Sequence, residues 1–490
     1  MTETPPRLPP RPPEGLDGLE ARLRQDLEWL TLPPPDWVRP TFDDRGERIA
    51  DVVIVGAGMT GLAAAFALQC AGIRNIVLLD RAPEGQEGPW VTYARMQTLR
   101  SPKQLVGPAL GIPSLTFRAW YEAQFGPEAW EALEKIPRPM WMDYLRWYRR
   151  ALDLPVRNGV AVDGIERDQQ GRIRLAVTDN GTATTILTRK LVMATGRDGL
   201  GGPYVPPFIQ DLPSHLWAHS AHDIDFEALK SKKVAVIGIG ASSVDNAASA
   251  LEAGAGEVRI FVRRPDVPRI NKLTGISSPG LVHSFPHLPE SWRWRILSYA
   301  DRSQVPPPRS SVLRVTRHPH AHIHLASPIL SAEPVDGGRV RVTTPHRQWT
   351  ADFIIAGTGF AIDLDRRPEL SAQSGNIKLW RDVYVERGEE QSDLAGYPYL
   401  GPAFEFLEKD AGRTPELRDI HCFNYASTLT HGKVSGDIPA VSDGAARLAR
   451  GIAAHFYRDD IDWHYEQLQA FDRPEVFGDE WTDAEAVTPA

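Results

Sequence analysis

The chain has 490 residues, of which 42% are hydrophobic and 24% charged, proportions that are ordinary for a globular protein. This length allows two or three domains with substantial cores. The formal net charge of −8 leaves no basic footprint, so a nucleic-acid partner is not expected. No apolar run reaches the about 18 residues of a membrane span, and residues 1–15 lack the apolar core of a secretory signal.

A proline-rich arm over residues 1–48 opens the chain. It contains one predicted helix, residues 16–30, in which Leu19, Leu23 and Leu27 recur at helical spacing. We expect this arm to lie as a strap on the body or to join an oligomer, so a homodimer is a further expectation. A ligand for an SH3-type domain is the weaker alternative.

The first chemical signature is a glycine turn between a buried strand and a helix. Residues 51–61 read DVVIVGAGMTG and place Gly56, Gly58 and Gly61 at the turn. These glycines allow a tight turn, close approach of a pyrophosphate, and packing of the helix on the strand. The helix N-terminus adds free N–H groups and a positive dipole. The next predicted strand ends at Asp80, where an acid binds ribose hydroxyls, so an FAD site is predicted.

A second glycine turn follows later in the chain. Residues 233–243 read KVAVIGIGASS, with Gly238 and Gly240 at the turn and Ser243 in the place of the third glycine. Its second strand ends in Arg263 and Arg264 rather than in an acid. A cation there suits the 2′-phosphate of NADPH, whereas an acid would favour NADH. NADPH is therefore expected and NADH is left open; two solvated surface arginines are the alternative interpretation.

Each glycine turn is matched by a later strand end. Residues 194–196 read ATG and residues 357–359 read GTG. Two such units in one chain predict two nucleotide sites that face each other, the layout in which a nicotinamide passes a hydride to FAD.

The fold predicted from this pattern is α/β, with two Rossmann-like dinucleotide-binding domains arranged as in glutathione reductase. The NADPH-binding domain is inserted in the FAD-binding domain. The predicted division is an arm over 1–48, a first FAD-binding part over 49–212, an NADPH-binding domain over 213–345, and a second FAD-binding part with the C-terminal tail over 346–490. The predicted elements are strands at 52–55, 76–79, 160–167, 173–178, 184–187, 191–194, 258–262, 340–342 and 353–356, helices at 62–70 and 141–152, and a crossover linker at 199–213.

Cysteine usage narrows the chemistry further. Cys70 and Cys422 are the two cysteines, and no C-x-x-C pair occurs. A structural disulfide is not expected, and the reducing cytoplasm is the predicted compartment. A flavoenzyme that reduces disulfides needs a redox-active cysteine pair close in sequence, so that class is disfavoured.

With these residues in place, the chain resembles the class B flavoprotein monooxygenases, which include flavin-containing monooxygenases, Baeyer–Villiger enzymes and N-hydroxylating enzymes. Their signature F-x-G-x-x-x-H-x-x-x-aromatic aligns with residues 216–226, LWAHSAHDIDF. His222 and Phe226 are in register, whereas Leu216 and Ala218 replace the phenylalanine and the glycine. The resemblance implies that His222 supports the junction between the two domains.

Two more segments carry the resemblance. Residues 87–90, EGPW, are similar to the G-G-x-W that covers the flavin in flavin-containing monooxygenases, which implies this role for Trp90. Met96 and Gln97, followed by Lys103, are similar to the M-Q…K segment of amino-acid N-hydroxylases. The resemblance implies that Gln97 orders one face of the flavin and that Lys103 pairs with an anionic substrate group. A surface lysine is the alternative for Lys103.

The resemblance implies an enzyme that binds FAD tightly and consumes NADPH. Its reduced flavin captures O2 as a C4a-(hydro)peroxide and transfers one oxygen atom to a small-molecule substrate, by N-, S- or ring oxygenation. The cofactor performs the oxygen chemistry, so no dedicated acid–base pair is required. The bacterial FAD-dependent urate hydroxylases, with two such fingerprints, are a further relative that the pattern allows, although no residue specifically reads a purine.

Two alternatives stay open. An NAD(P)H-dependent flavin reductase or oxidase of the same fold would insert no oxygen. A non-catalytic FAD protein is the other, and the intact second glycine turn argues against it.

No residue is assigned as catalytic; the candidates at the flavin face are Gln97, Lys103 and His222. The residues assigned to cofactor binding are Gly56, Gly58, Met59, Thr60, Gly61, Asp80, Arg81, Trp90, Gln97, Val162, Thr195, Gly196, Gly238, Gly240, Ser242, Ser243, Arg263, Arg264, Thr358, Gly359 and Asp437. A helix is predicted to begin near Ser442, with that hydroxyl as its N-cap and its N-terminus directed at the flavin. Alternating histidines over residues 318–324 leave metal binding conceivable, but no carboxylate or cysteine joins them, so no metal is predicted.

Overall fold

The computed structural model describes residues 14–197 and 199–481. The α-helices of this part of the chain are α1 (Gly15–Trp29), α2 (Met59–Cys70), α3 (Phe117–Ala132), α4 (Arg138–Ala151), α5 (Pro207–Gln210), α6 (Ala241–Glu252), α7 (Pro279–Ser284), α8 (Glu290–Ser303), α9 (Arg309–Thr316), α10 (Thr428–His431), α11 (Val441–Asp459) and α12 (Ile461–Ala470).

The β-strands of the same ranges are β1 (Ala50–Val55), β2 (Ile76–Asp80), β3 (Val156–Asn158), β4 (Val160–Arg167), β5 (Ile173–Asp179), β6 (Thr182–Met193), β7 (Gly201–Pro203), β8 (Trp217–His219), β9 (Lys233–Ile237), β10 (Glu257–Phe261), β11 (Ala321–His324), β12 (Ser331–Val335), β13 (Arg339–Thr343), β14 (Gln348–Ala351), β15 (Phe353–Ala356), β16 (Phe360–Ile362) and β17 (Ile420–Cys422).

The first glycine turn belongs to a seven-stranded sheet of order β3-β2-β1-β6-β5-β4, in which β17 also pairs with β6. Strands β1, β2 and β3 run parallel, and β1 is parallel to β6. Strands β4, β5 and β6 form an antiparallel meander. The parallel strands β1, β2 and β6 therefore direct their carboxyl ends to one edge, where a nucleotide site is expected.

The second glycine turn belongs to a five-stranded sheet of order β11-β10-β9-β15-β8, whose strands are all parallel. Strand β15 pairs with β9 here, so residues 353–356 belong to the second sheet although the predicted division assigns 346–490 to the first domain. The reason is that β12, β13 and β14 form a three-stranded excursion that returns the chain to β9. The division into domains remains a prediction, and this pairing shifts its second boundary toward the C-terminus.

Strand β6 differs from the prediction of two segments over 184–187 and 191–194. It is one strand of 12 residues, Thr182–Met193. Its first half pairs with β5 up to Thr188, and its second half pairs with β1 from Thr188 to Met193. Strong hydrogen bonding to different neighbours on successive halves keeps a strand continuous through the polar residues between them.

Helix α1 packs against α3 and buries Leu19 and Leu23. Two hydrogen bonds add to this contact, from Ser114 Oγ to Asp26 at 2.5 Å and from Trp147 Nε1 to Glu20 at 3.1 Å. The helix thus lies on the body of the protein. Residues 1–13 of the predicted arm lie outside the described residues.

Helices α3 and α4 enclose an aromatic cluster that connects α1 to the first sheet. Phe117, Trp141 and Tyr144 are fully buried and contact one another in tilted and edge-to-face geometries, with ring centroids 5.0–5.7 Å apart. Burial of large rings in such contacts is a major source of stability. None of the helices in the described ranges is long and apolar enough to cross a membrane.

Candidate functional site

The first turn has the backbone that its glycines predict. Gly56 has φ +100°, and a Cβ there would lie 2.5 Å from the Ala194 carbonyl oxygen. A Cβ on Gly61 would lie 1.9 Å from the Gly56 carbonyl oxygen. Both positions therefore require glycine. Gly58 is the N-cap of α2 and has no side chain to occupy the first N–H groups of the helix, which therefore remain available, with Met59 and Thr60 in the first turn.

Asp80 lies beside this turn at the end of β2. Its Oδ2 accepts a hydrogen bond from the Ala57 N–H at 2.8 Å, and its Oδ1 accepts one from the Ala82 N–H at 2.8 Å. Both carboxylate oxygens thus hold the backbone of the turn, while each keeps a second lone pair for a ribose hydroxyl. Arg81, the next residue, is exposed.

The buried carboxylate of Glu87, which the sequence did not single out, lies near the first glycine turn. Glu87 is 4% exposed and accepts hydrogen bonds from Arg149 at 3.0 Å and from Asn158 at 2.7 Å. Glu87 and Arg149 line a narrow cavity that also reaches Ala57 and Gly58. No spacing in the sequence connects these residues, because they come from separate loops and from α4.

The end of β6 is joined to the C-terminal part of the chain. Gly196 has φ +80°, and its carbonyl accepts a hydrogen bond from the Tyr425 N–H at 3.1 Å. Thr195 Oγ1 accepts a hydrogen bond from Asn424 Nδ2 at 3.2 Å. Asn424 is fully buried and was not singled out from the sequence, where an isolated asparagine carries no signal.

Two more positions assigned to FAD binding lie on the first sheet and its neighbouring loop. Val162 is in β4 next to a register shift opposite β5. Thr60 Oγ1 donates to the Ser435 carbonyl at 3.1 Å, which brings α2 against the loop that carries the exposed Asp437. The structure therefore gathers Asp437, the first turn and the β6 end on one side of the sheet.

Helix α11 begins at Val441, and the prediction that Ser442 is its N-cap is wrong. Ser442 lies inside the helix, donates to the Gly107 carbonyl at 2.6 Å and accepts from the Leu110 N–H at 3.0 Å. The hydroxyl joins the helix to a distant loop, and a short 3₁₀ turn, Ile438–Ala440, leads into the helix instead.

Segment 90–97, which carries Trp90 and Gln97, is held by the start of α4. Arg138 donates from Nε to the Met96 carbonyl at 3.0 Å and from Nη1 to the Trp90 carbonyl. The Gln97 carbonyl accepts from the Arg138 N–H at 3.0 Å, and the Gln97 side chain is exposed. Trp90 contacts Trp141 edge to face. The two predicted flavin-face residues therefore share one anchored segment.

Lys103 takes a position that neither interpretation of the sequence anticipated. Its side chain is buried, and its Nζ donates to the carbonyls of Trp130 and Glu131 at 2.5 and 3.2 Å. The ammonium also lies 4.9 Å from the centre of the Trp130 ring. Lys103 is thus not a surface lysine. It binds the C-terminal carbonyls of α3, which attract a cation.

The second glycine turn accommodates Ser243, in the place of its third glycine, because Gly357 has no side chain. Gly238 has φ +97°, and Gly240 caps α6. Ser243 is fully buried, and its Oγ donates to the Gly357 carbonyl at 2.9 Å. A Cβ on Gly357 would lie 2.1 Å from that Oγ, so the missing side chain at Gly357 makes room for the serine. Ser242, in the first turn of α6, is exposed.

The arginines predicted to read a phosphate follow β10 in the structure. Arg263 is exposed and Arg264 is half-buried, and the Arg264 carbonyl accepts from the Ala326 N–H at 2.7 Å. At the next strand end, Thr358 donates to the Tyr204 carbonyl, and Gly359 accepts from the Tyr204 N–H at 2.9 Å. The strand end at 357–359 is therefore joined to the crossover linker.

The segment with the family signature lies on the edge of the second sheet. His222 is exposed, and its Nδ1 accepts from the His219 N–H at 3.2 Å. His219 is fully buried, and burial lowers its pKa to about 4, so that imidazole is neutral. The contact with segment 90–97 is made by Asp223 and Phe226, which approach Arg95 at 3.8 and 5.4 Å.

The alternating histidines end in β11, the outer strand of the second sheet. His324 stacks on Phe261 with ring centroids 5.2 Å apart, and His318 contacts His320. Within residues 14–197 and 199–481, no group of three His, Cys, Asp or Glu side chains is arranged to hold a metal ion.

Both cysteines are unpaired. Burial raises the pKa of the Cys70 thiol to about 12 and raises that of Cys422 as well. Neither sulfur is thus a thiolate at neutral pH, which is the form that thiol–disulfide exchange requires.

Each of the two large sheets contains parallel strands that lead into a glycine turn at the N-terminus of a helix, an arrangement that defines an oxidoreductase with two nucleotide sites. Residues 53–277 match the family described as pyridine nucleotide-disulphide oxidoreductase. The chain is 41% identical over 470 residues to the FAD-dependent urate hydroxylase of Xanthomonas campestris. The alignment covers 95% of this chain and 98% of that protein.

Solved structures show the same fold. Ornithine hydroxylase from Pseudomonas aeruginosa superposes with a TM-score of 0.65 at 16% identity and covers 83% of this chain and 99% of its own. The FAD-bound cadaverine monooxygenase of the desferrioxamine pathway from Erwinia amylovora gives a TM-score of 0.62 at 18% identity, with 82% of this chain and 94% of its own covered. The predicted α/β fold with two Rossmann-like sheets is confirmed. The chain belongs to the same family as the urate hydroxylase of Xanthomonas campestris and is a flavin-dependent oxidoreductase.

Proposed function

We propose that the protein is an FAD-dependent, NADPH-consuming hydroxylase of urate. The observation that carries the substrate is the 41% identity to a urate hydroxylase, which extends over 95% of this chain. The reaction would add one atom of O2 to urate and release the other as water, with two electrons from NADPH.

The residues of the first turn fit FAD. Gly56 and Gly58 leave room for a pyrophosphate at the α2 N-terminus, and a Cβ at Gly56 would collide with Ala194. Asp80 lies at the β2 end for the ribose, and Thr195 and Gly196 lie at the neighbouring strand end. When bound, FAD would supply hydride acceptance and the activation of O2. The protein would bind the dinucleotide, orient Trp90 and Gln97 beside the ring and exclude water.

The second turn supports NADPH as the electron donor. The α6 N-terminus would hold the pyrophosphate, and Arg263 and Arg264 would pair with the 2′-phosphate. Replacing both arginines with glutamine should raise the KM for NADPH by about tenfold or more and change the KM for NADH by less than about twofold. Equal effects on the two coenzymes would contradict the assignment.

The substrate is tested with the FAD-loaded protein, NADPH, O2 and urate. We expect urate to disappear in step with NADPH, with little hydrogen peroxide released. Allantoin as a non-aromatic control should not stimulate NADPH oxidation. If NADPH is consumed, hydrogen peroxide accumulates and urate is unchanged, the reductase or oxidase alternative is correct and the urate proposal is wrong.

Two broader proposals accompany the function. We propose the cytoplasm as the compartment, which the two unpaired thiols of raised pKa support. Microscopy of a tagged chain would test this localisation. A homodimer is supported by Ile461, Tyr465 and Leu468, which lie at helical spacing on α12 and are each about half exposed or more. Light scattering on the pure protein would give a single-chain mass if this is wrong.

A further inference from the structure

We propose that Arg95 and Arg138 form an anion subsite beside segment 90–97 and that this subsite binds the planar anion of the substrate. The proposal rests on the proposed function, because urate is a planar monoanion at neutral pH. It assigns two residues to substrate recognition that neither a motif nor a spacing in the sequence indicates.

Arg138 presents a charge that no carboxylate of the described residues neutralises by a direct ion pair. Its Nε and Nη1 donate to the carbonyls of Met96 and Trp90, and the side chain is half-buried. A guanidinium has five N–H donors in a fixed plane, so donors remain after these two bonds. The two carbonyl contacts also fix the plane in which those donors lie.

Arg95 belongs to segment 90–97, and the carbonyl of the next residue, Met96, accepts the hydrogen bond from Arg138 Nε, so the two arginines meet at adjacent backbone positions. Its Nη1 donates to the Thr92 carbonyl, and its side chain is 14% exposed. The closest carboxylate is Asp223, whose Oδ1 is 3.8 Å from Nη2 and whose side chain is fully exposed. An exposed ion pair at that distance contributes little, so it does not neutralise Arg95. Burial lowers the pKa of Arg138, and the charge of Arg95 lowers it further.

The other charged side chains near Arg95 and Arg138 already interact with partners within the protein. Asp245, which lies near Arg138, pairs with Arg314 at 3.1 Å, and Arg314 also binds Glu252 at 2.7 Å. Burial lowers the pKa of Arg100, and the negative charge of Asp437 opposes that shift. Lys103, the cation that the family resemblance assigns to the substrate, is bound to α3 carbonyls. The positive charge left beside Gln97 thus belongs to Arg95 and Arg138.

Two like charges in a partly desolvated place repel each other, and an anion between them removes that cost. Arginine forks match planar, bidentate acceptors, and the carbonyl and ring-nitrogen edge of an ionised purine is such an acceptor. We assign the substrate rather than a nucleotide phosphate, because the helix N-termini and Arg263 and Arg264 already serve the phosphates. Trp90 and Gln97 then bring this anion next to the flavin face.

The first test compares urate binding in three FAD-loaded variants. Arg95→Met should weaken urate binding by about tenfold or more, and Arg95→Lys should recover part of the loss because it restores the charge. Arg150→Met is the control, since Arg150 lies on α4 with Arg138 but is exposed and pairs with Glu20 at 3.6 Å. FAD content and NADP⁺ binding should stay within about twofold in all three. A loss of NADP⁺ affinity with unchanged urate binding would overturn the assignment to the substrate.

The second test uses nitrate, a planar monoanion, and does not depend on urate turnover. Nitrate should perturb the flavin absorption of the FAD-loaded protein saturably, and the perturbation should be lost in Arg95→Met and in Arg138→Gln but kept in Arg150→Met. If nitrate behaves in this way and urate is not converted, the subsite stands and the proposed substrate fails. If nitrate gives no saturable signal in the wild-type protein, the subsite is refuted even when urate is a substrate.

Discussion

The side chain of Lys103 illustrates what happens at the scale of single residues. A lysine after a Met-Gln pair resembles a substrate-binding lysine, yet its ammonium lies on the C-terminal carbonyls of α3 and on the Trp130 ring. The local sequence is compatible with both roles. The choice was made by α3, which starts 14 residues later and places its last carbonyls at the lysine.

Replacing Lys103 therefore tests structure against substrate binding. Lys103→Met should lower the free energy of unfolding by about 1–3 kcal/mol, because the buried Trp130 carbonyl and the partly buried Glu131 carbonyl lose a charged donor. The KM for urate should stay within about twofold. Denaturant unfolding and steady-state kinetics measure the two quantities. Arg118→Met is the matched control, since Arg118 also lies over Trp130, at 5.4 Å, but is exposed. A raised KM with unchanged stability would instead restore the substrate role.

Asp51 carries the clearest dependence on pH. Its side chain is fully buried, Oδ2 lies 3.0 Å from Arg48, and burial raises its pKa from 3.8 to about 6. Between those two pH values the folded protein binds more protons than the unfolded chain, so the wild type loses stability as the pH rises. Asp51→Asn removes this loss.

The stability of Asp51→Asn relative to the wild type should therefore increase between about pH 4 and pH 6, by on the order of 2–3 kcal/mol. Urea unfolding at a series of pH values measures it. Asp44→Asn removes a charge at an exposed position and provides the control. A difference that is constant across this range would contradict the prediction.

At the scale of elements, α6 and the end of β15 fit together through one pair of residues. Ser243 donates to the Gly357 carbonyl, and the absent side chain of Gly357 leaves the space that the serine occupies. The sequence shows a serine in a glycine position, and the compensating glycine lies 114 residues away. Close helix–strand packing is thus kept although the third glycine of the turn is lost.

Gly357→Ala should destabilise the protein by about 1–3 kcal/mol, because its Cβ would overlap Ser243. Combining it with Ser243→Gly removes the contacts of 2.1 and 2.6 Å to the serine side chain and should recover part of the loss. Thermal unfolding compares the variants. Gly275→Ala, where a Cβ meets nothing within 4 Å, should change the stability by less than about 0.5 kcal/mol. No recovery in the double variant would refute this packing.

Helices α6 and α9 are coupled to segment 90–97 through Arg314. This residue binds Asp245 at 3.1 Å and Glu252 at 2.7 Å, and its Nη1 lies 3.4 Å from the Arg95 carbonyl. Burial raises the pKa of Asp245, and Arg314 opposes that shift. One buried arginine thus links the helix of the second glycine turn to segment 90–97.

Arg314→Met should destabilise the protein by about 3–5 kcal/mol, because Asp245 would be left buried without its partner. Arg317→Met should cost less than about 1 kcal/mol, since Arg317 pairs with the same Glu252 but is exposed. Guanidinium unfolding of both variants measures the difference. Similar losses for the two would show that Glu252 alone matters and that Asp245 does not.

At the scale of the whole molecule, the chain forms a mixed sheet and a parallel sheet and joins them through long-range contacts. Arg95 reaches Asp223 and Phe226, and Tyr204 binds the strand end at 357–359. The arrangement supports transfer between two nucleotides, and the two unpaired thiols, whose pKa values are raised, argue against disulfide chemistry.

The sequence by itself determined the two nucleotide turns, most of the strands around them and the class of enzyme. Those features depend on residues within a few positions of each other, because a tight turn and a helix N-terminus need glycines at short, regular spacing. Gly56 and Gly238 have positive φ values, as that spacing predicts.

Only the tertiary structure decided how the side chains around these turns are used. Ser442 binds a loop 335 residues away, and Asn424 binds Thr195 across 229 residues. Hydrogen bonds and ion pairs over such separations depend on how helices and sheets pack, and no local pattern encodes them. For the same reason, the pairing of Arg95 with Arg138 beside segment 90–97 emerges from the fold and not from the spacing of the two arginines.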